Sequence, residues 1–239
     1  MVIDLGNTRM KFALFGGDEL LQTRVFDRDE DLPKRWEKSR EEWHPKNIVI
    51  ASTALLSPEE EKWLENHDVL RVGYHLKFPF QIEYRSPETL GQDRLAAVSA
   101  ADALYRGTNV LIIDCGTCIT YDLLLADGIY VGGNIAPGIH MRLKAMHHFT
   151  DRLPLVDIPS RVEWIGQSTT GALQSGGAGM AIMEARGFIF YLIEKYGSLR
   201  TVLTGGDAAL FQGLIPGEHE IQPNLVALGL NEILKNNEV

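Results

Sequence analysis

The stretch "VIDLGNTRMKFALF" (residues 2–15) and the stretch "IIDCGTCITYDLLL" (112–125) follow one plan: apolar strand, Asp, one residue, Gly, a polar side chain, second strand. Asp4 answers to Asp114, Gly6 to Gly116 and Asn7 to Thr117, so the copies stand 110 residues apart in a chain of 239. A spacing of nearly half the chain is too long for a solenoid period and predicts two related lobes. The unit also has a chemical logic. Glycine admits turn conformations closed to other residues and lets a ligand approach the backbone. Successive amide N–H groups in such a turn form a concavity for anions. Asn or Thr at the tip adds donors, and an Asp at the strand end can hold a hydrated cation. Two such turns can carry different parts of a polyphosphate. One turn alone reads equally as a tight hairpin whose Asp caps backbone amides.

The second copy brackets its Gly-Thr with Cys115 and Cys118, which raises a redox pair or a metal clip as rivals. A thioredoxin-like pair opens a helix, whose dipole lowers the first thiol's pKa. Here Ile119, Thr120 and Tyr121 continue a strand instead. Zinc needs further soft or imidazole ligands at workable spacing, and His140, His147 and His148, on a predicted helix, do not supply it. A disulfide across so small a loop adds little stability. The cysteines read as small packing side chains. No phosphate-binding P-loop is present, and "GGAGMA" (176–181) follows no strand, so it reads as close helix packing rather than a dinucleotide fingerprint.

Outward from the two hairpins, "LLQTRVF" (20–26) extends the first sheet, and "EDLPKRWEKSREEW" (30–43) is a surface helix. "NIVIAST" (47–53) and "VLRVG" (69–73) are strands around a helix at about 58–67, opened by Ser57-Pro58-Glu59-Glu60. "DRLAAVSAADALY" (93–105) is an Ala-rich helix stopped at Gly107. Asp127-Gly128 marks a hairpin. A helix over 139–149, a loop over 150–165, and one broken or two consecutive helices over 169–196 follow. "RTVLTGGDAALFQGLI" (200–215) is strand, Gly turn and helix, and "NLVALGLNEILKNN" (224–237) is the last helix.

A chain of this length buries a core without disulfides. No apolar run approaches the ~20 residues of a membrane span, and no leader precedes "MVIDLGN". A cytoplasmic protein that enters no membrane is therefore expected. The net charge of −9 opposes non-specific binding of nucleic acid or anionic membranes. Phosphates would have to be met by local amides, a few basic side chains and metal ions.

Four stretches, "DLGNTRMKFALF" (4–15), "GQDR" (91–94), "DCGTCITYD" (114–122) and "GGNIAPG" (132–138), run in one order along the chain. "IGQSTTGALQSG" (165–176) and "LTGGDA" (203–208) add softer matches. With these the chain resembles the type III pantothenate kinases of the actin/sugar-kinase/heat-shock-ATPase superfamily. The resemblance implies an α/β fold of two ribonuclease-H-like lobes with mixed sheets flanked by helices, over 1–110 and 111–239, the final helix free to pack back on the first lobe. It implies ATP and pantothenate in the cleft between the lobes. The activity is ATP-dependent phosphorylation of pantothenate to 4'-phosphopantothenate, the first step of coenzyme A biosynthesis. Mg²⁺, a monovalent cation (K⁺ or NH₄⁺) and a homodimer go with it.

Carried residue by residue, Asp4, Leu5, Gly6, Asn7, Thr8, Arg9, Met10 and Lys11 would contact the ATP phosphates, as would Thr117. Asp93 would be the catalytic base, among Gly91, Gln92 and Arg94 on the pantothenate side. Tyr84 and Thr169 match substrate-contacting positions, Thr169 across the dimer, and Asp114 matches the monovalent-cation ligand. The chain departs from its relatives at Cys115 and Cys118, where no donor needed by the chemistry is lost.

Plainer readings exist for several of these positions. Asp93 opens an Ala-rich helix and suits an N-cap. Arg94 suits a solvated helix charge, and Asp207 of "TGGDA" suits a helix cap. Gly171, Gly176, Gly177 and Gly179 suit close helix contact, within the chain or across a two-fold axis. Two other functions compete: another small-molecule phosphotransferase on the same fold, or a non-catalytic regulatory homologue. "GQDR" and Tyr84, which concern the acceptor, oppose the first. The complete set of acids opposes the second.

Overall fold

A computed structural model describes residues 1–237. The chain runs β1 (Val2–Leu5), β2 (Arg9–Gly16), β3 (Glu19–Asp27), α1 (Leu32–Trp43), β4 (Val49–Ser52), α2 (Pro58–Glu65), β5 (Leu70–Arg71), β6 (Gln81–Ile82) and α3 (Gln92–Tyr105). It continues with β7 (Val110–Cys115), β8 (Cys118–Leu124), β9 (Ile129–Pro137), α4 (Ile139–His148), α5 (Thr169–Gln174) and α6 (Met180–Tyr196). It ends with β10 (Arg200–Thr204), α7 (Ala208–Phe211), β11 (Glu218–Ile221) and α8 (Leu225–Asn237). Contacts divide these elements into two compact units: Met1–Arg106 with the segment from Asn224 onward, and Gly107–Pro223.

The two units share one topology. In the first, the strands lie in the order β3-β2-β1-β4-β5, with β1, β2 and β3 antiparallel and β4 and β5 parallel to β1. In the second, the order β9-β8-β7-β10-β11 repeats this, antiparallel over β7, β8 and β9, then parallel through β10 and β11. Each is a mixed, ribonuclease-H-like sheet flanked by helices. The repeated Asp-x-Gly thus sits at the same place in both, on the turn out of the central strand.

In the first unit one sheet face is apolar because β1, β2 and β4 alternate inward. Ile3, Leu5, Met10, Phe12 and Ile50 are buried against Leu32 and Trp36 of α1 and Leu64 of α2. Asp31 caps α1 by accepting from the Lys34 amide (3.0 Å). Ser57 and Glu60 close a reciprocal capping box on α2, a device that stabilises a helix start by about 1 kcal/mol. That helix ends at Glu65, short of 67, because Asn66 and His67 turn their amides to Trp63 and Leu64 in a tighter coil. Helix α3 is buried on nearly every side from Arg94 to Asp102, and packs on α8. A Cβ at Gly229 of α8 would fall closer than 3.0 Å to the backbone of Ala96, so only glycine admits that approach.

In the second unit, 169–196 is one helical path interrupted by a π-turn at Ser175–Gly179. Its small residues serve packing: a Cβ at Gly177 would press on Leu143 of α4. The expectation of close helix contact holds at that glycine. Strand β11, "EHEI", is charged and half-exposed, and its sequence carries no apolar alternation by which to recognise it.

Candidate active site

The first turn is shaped by its own backbone. The Gly6 N–H donates to the Arg9 carbonyl (3.0 Å), and the Thr53 N–H, beyond β4, donates to Leu5 (3.0 Å). Asn7, Thr8, Arg9 and Lys11 are exposed there, while Leu5 and Met10 are fully buried in the core. Those two can offer a ligand only backbone atoms. Asp4 is half-buried and lies directly across the ladder from Lys11.

The second turn closes in the same way but is one residue shorter. The Gly116 N–H donates to the Cys118 carbonyl (3.0 Å), Asp114 is half-buried, and Thr117 is exposed at the tip. A Cβ at Gly138, the N-cap of α4, would stand closer than 3.0 Å to the carbonyls of Gly116 and Thr117. Gly205, at φ +88°, would carry a Cβ equally close to the Asp114 carboxylate and the Cys115 carbonyl. Two glycines from other elements therefore wall this turn, a close backbone approach that larger residues forbid.

The "GQDR" segment is brought to the first turn within the same unit. The Ser52 N–H donates to Gln92 Oε1 (2.7 Å), and Ser52 pairs with Leu5 across the parallel β1–β4 ladder. The N-cap of α3 is Gly91, not Asp93, which corrects the plainer reading of that acid. Asp93 lies in the first helical turn, where the helix dipole favours negative charge, and its Oδ1 accepts from the Arg94 amide (2.8 Å). Arg94 is 5% exposed, which overturns its reading as a solvated charge. Its guanidinium lies over the Tyr84 ring, 5.8 Å from the centroid, a cation–π geometry.

Asp207 stands at the N-cap position of α7, but its carboxylate makes no cap bond, so the cap reading fails for the side chain. Burial raises its pKa above the ordinary carboxylate value, and the nearby His140 pulls it back. Thr169 is exposed at the first position of α5 behind the N-cap Ser168, and no hydrogen bond ties it to the Asp114–Thr117 turn among the described residues.

The cysteines are free and unpaired with each other. Burial, with the Asp114 and Asp207 carboxylates, pushes the Cys115 thiol far above its ordinary pKa, the reverse of a reactive thiolate. No group of three or more His, Cys, Asp or Glu side chains is gathered for a metal among the described residues. No helix among them is long and apolar enough to cross a membrane.

Sequence reasoning missed Ser52, whose amide docks "GQDR", and the pair Arg28–Glu60 behind the first turn. The polar "Ser52-Thr53" ending a buried strand was the available signal for one. For the other, a charge-rich run concealed the single arginine that turns inward.

With this geometry in hand, the comparisons are informative. A family model described as type III pantothenate kinase matches residues 1–190. The chain is 39% identical to a type III pantothenate kinase of Christiangramia forsetii, covering 100% of this chain and 98% of that protein. It is 44% identical to one of Porphyromonas gingivalis, with 99% and 98% covered. Among solved structures, it is similar to a Campylobacter jejuni protein described as belonging to a Baf family of transcriptional activators (TM-score 0.62, 22% identity, 99% and 98% covered). It is also similar to the (R)-2-hydroxyglutaryl-CoA dehydratase component A of Acidaminococcus fermentans (TM-score 0.55, 14% identity, 98% and 96% covered). These two likenesses are of fold.

Proposed function

Because the chain belongs to the type III pantothenate kinases, enzymes of coenzyme A biosynthesis, we propose that Asp93 is the general base that takes the proton of the pantothenate hydroxyl. The supporting observation is the Ser52–Gln92 bond of 2.7 Å, which docks the segment carrying Asp93 beside the end of β1, where the Asp4–Lys11 turn begins. As the hydroxyl oxygen bonds to the γ-phosphorus, its proton passes to the Asp93 carboxylate and the bond to ADP breaks. Phosphoryl transfer asks little covalent chemistry of a protein, so positioning and charge stabilisation carry most of the rate. The Asn7 and Thr8 amides and the exposed Lys11 hold phosphate oxygens on one turn, and Thr117 holds them on the other. Arg94, set over the Tyr84 ring, presents a planar cation to the pantothenate carboxylate or an amide oxygen.

The donor set fits hard cations. Asp4 and Asp114 are half-buried oxygen ligands at the two turns, and the Gly205 cradle leaves the space beside Asp114 free of a side chain. Asp4 would hold hydrated Mg²⁺ and Asp114 a monovalent cation, K⁺ or NH₄⁺. The divalent ion supplies neutralisation of phosphate charge when bound. The assay that tests the function is formation of phosphopantothenate from ATP and pantothenate with Mg²⁺, with and without K⁺ or NH₄⁺. ATP turnover on a different acceptor only would overturn it. Ala at both Cys115 and Cys118 is expected to leave that turnover unchanged, at a stability cost of about 1 kcal/mol for the buried thiol.

The enzyme works as a homodimer in this reading. Met180, Met183, Phe190 and Tyr191 of α6 are 42%, 44%, 55% and 53% exposed. Their helical spacing puts them along one stripe, with the bare Gly187 between them. An apolar stripe of this kind suits a two-fold helix pairing. Met183→Asp is expected to halve the mass measured by sedimentation, and an unchanged mass would remove α6 from the interface.

A further inference from the structure

We propose that each phosphate-binding turn is held at its tip by a dedicated Arg–Glu fork, Arg28–Glu60 for the first turn and Arg142–Glu184 for the second. The inference rests on the assignment of these turns to ATP. The first residue after the third strand of each unit makes the same bond to the turn: the Arg28 N–H donates to the Thr8 carbonyl and the Gly138 N–H to the Thr117 carbonyl, both at 3.1 Å. In each unit an arginine then ties that junction to a helix. Arg28 Nη1 and Nη2 reach Glu60 Oε1 and Oε2 at 2.7 and 2.9 Å. Glu60 also accepts from the Ser57 amide (2.8 Å), so the fork ends on the capped start of α2. Arg142 donates through Nε to the Pro137 carbonyl (2.9 Å), one residue before Gly138, and through Nη1 and Nη2 to Glu184 of α6 at 2.7 and 2.5 Å.

The two forks come from different places in the chain, Arg28 following β3 and Arg142 lying within α4. The sequence repeat therefore does not account for them, yet they brace the same point of the repeated hairpin. A bidentate Arg–carboxylate pair fixes orientation as well as distance. Side-chain exposures of 18% and 13% shield the first fork from water, which sets it apart from surface pairs of little consequence. These are positioning residues. Without the fork the tip amides lose their fixed aim, and the binding of ATP phosphates weakens although no ligand contact is removed.

The test measures ATP affinity by calorimetry without pantothenate, melting temperature, and the separate KM values for ATP and pantothenate. The variants are Glu60→Gln, Arg28→Lys and Glu184→Gln. Glu60→Gln keeps an acceptor for the Ser57 amide and removes the charge. Arg28→Lys keeps the charge and removes the fork. Each is expected to weaken ATP binding on the order of tenfold, with the pantothenate KM little changed, since "GQDR" is docked through Ser52. A purely structural pair would lower the melting temperature and leave ATP affinity alone; that result in the folded variants overturns the proposal. Should Glu60→Gln not fold, Glu184→Gln carries the test, because Glu184 is half-exposed and the glutamine keeps an acceptor for the Arg142 guanidinium. Wild-type protein that binds ATP but does not phosphorylate pantothenate would overturn the functional reading and leave the forks standing.

Discussion

Asp93→Asn is expected to give a folded protein that binds ATP as the wild type does and turns over about 10²–10⁴-fold more slowly, the usual worth of a positioned general base. The substitution is nearly isosteric. An asparagine carbonyl can still accept the Arg94 amide hydrogen that Asp93 Oδ1 accepts at 2.8 Å, so the first turn of α3 keeps its internal bond. The cap of that helix is untouched, because Gly91 occupies it. Nor does the docking of the segment change, since it runs through Gln92 to Ser52. What disappears is the carboxylate proposed to receive the hydroxyl proton. The measurement is steady-state turnover beside ATP calorimetry on one preparation. Wild-type turnover in a folded variant would remove Asp93 from the base role. Loss of ATP binding together with turnover would make it a structural acid instead.

The repeat legible in Asp4-x-Gly6 and Asp114-x-Gly116 extends much further than the matching letters. Both hairpins close with a glycine amide on the opposite strand, and both sheets continue in the same strand order. Local chemistry makes that much readable: apolar alternation specifies strands, and a glycine flanked by polar residues specifies the turn. Asp93 shows where reading by residue type stops. Aspartate is a favoured N-cap, but the helix begins at Gln92 and is capped by Gly91, a glycine with no side chain to advertise the cap. Arg94 shows a second limit. Its charge suggests solvent, whereas burial and the Tyr84 ring are tertiary facts that no local pattern carries. The same holds for Arg28, whose partner Glu60 lies 32 residues away. Strand β11 escapes for another reason: it is half-exposed and rich in charge, and it is held to β10 by the backbone ladder and by Arg200, which pairs with Glu218 and Glu220.

Gly116 and Gly138 meet at one turn and are expected to fail in opposite ways. A Cβ at Gly116 would find Asp114 Oδ1 at 3.5 Å and the Cys118 carbonyl at 3.6 Å, ordinary contact distances. The protein has room for Gly116→Ala, so its melting temperature should stay near wild type. In the proposed reading the methyl would nevertheless stand where a phosphate approaches the turn, and displacing charge-assisted bonds there should weaken ATP binding about 10–100-fold. Gly138→Ala is different, because its Cβ would meet the Gly116 and Thr117 carbonyls closer than 3.0 Å. Those are backbone atoms and cannot rotate away. The expected cost is about 1–3 kcal/mol of stability, as for other overpacked sites, with ATP affinity lost as the turn is forced open. Calorimetry and thermal melts on the two variants decide the matter. A stable Gly116→Ala with unchanged ATP affinity would mean that the glycine serves the hairpin and not the nucleotide. Weakened binding without a stability change would support a ligand that approaches the Gly116 turn.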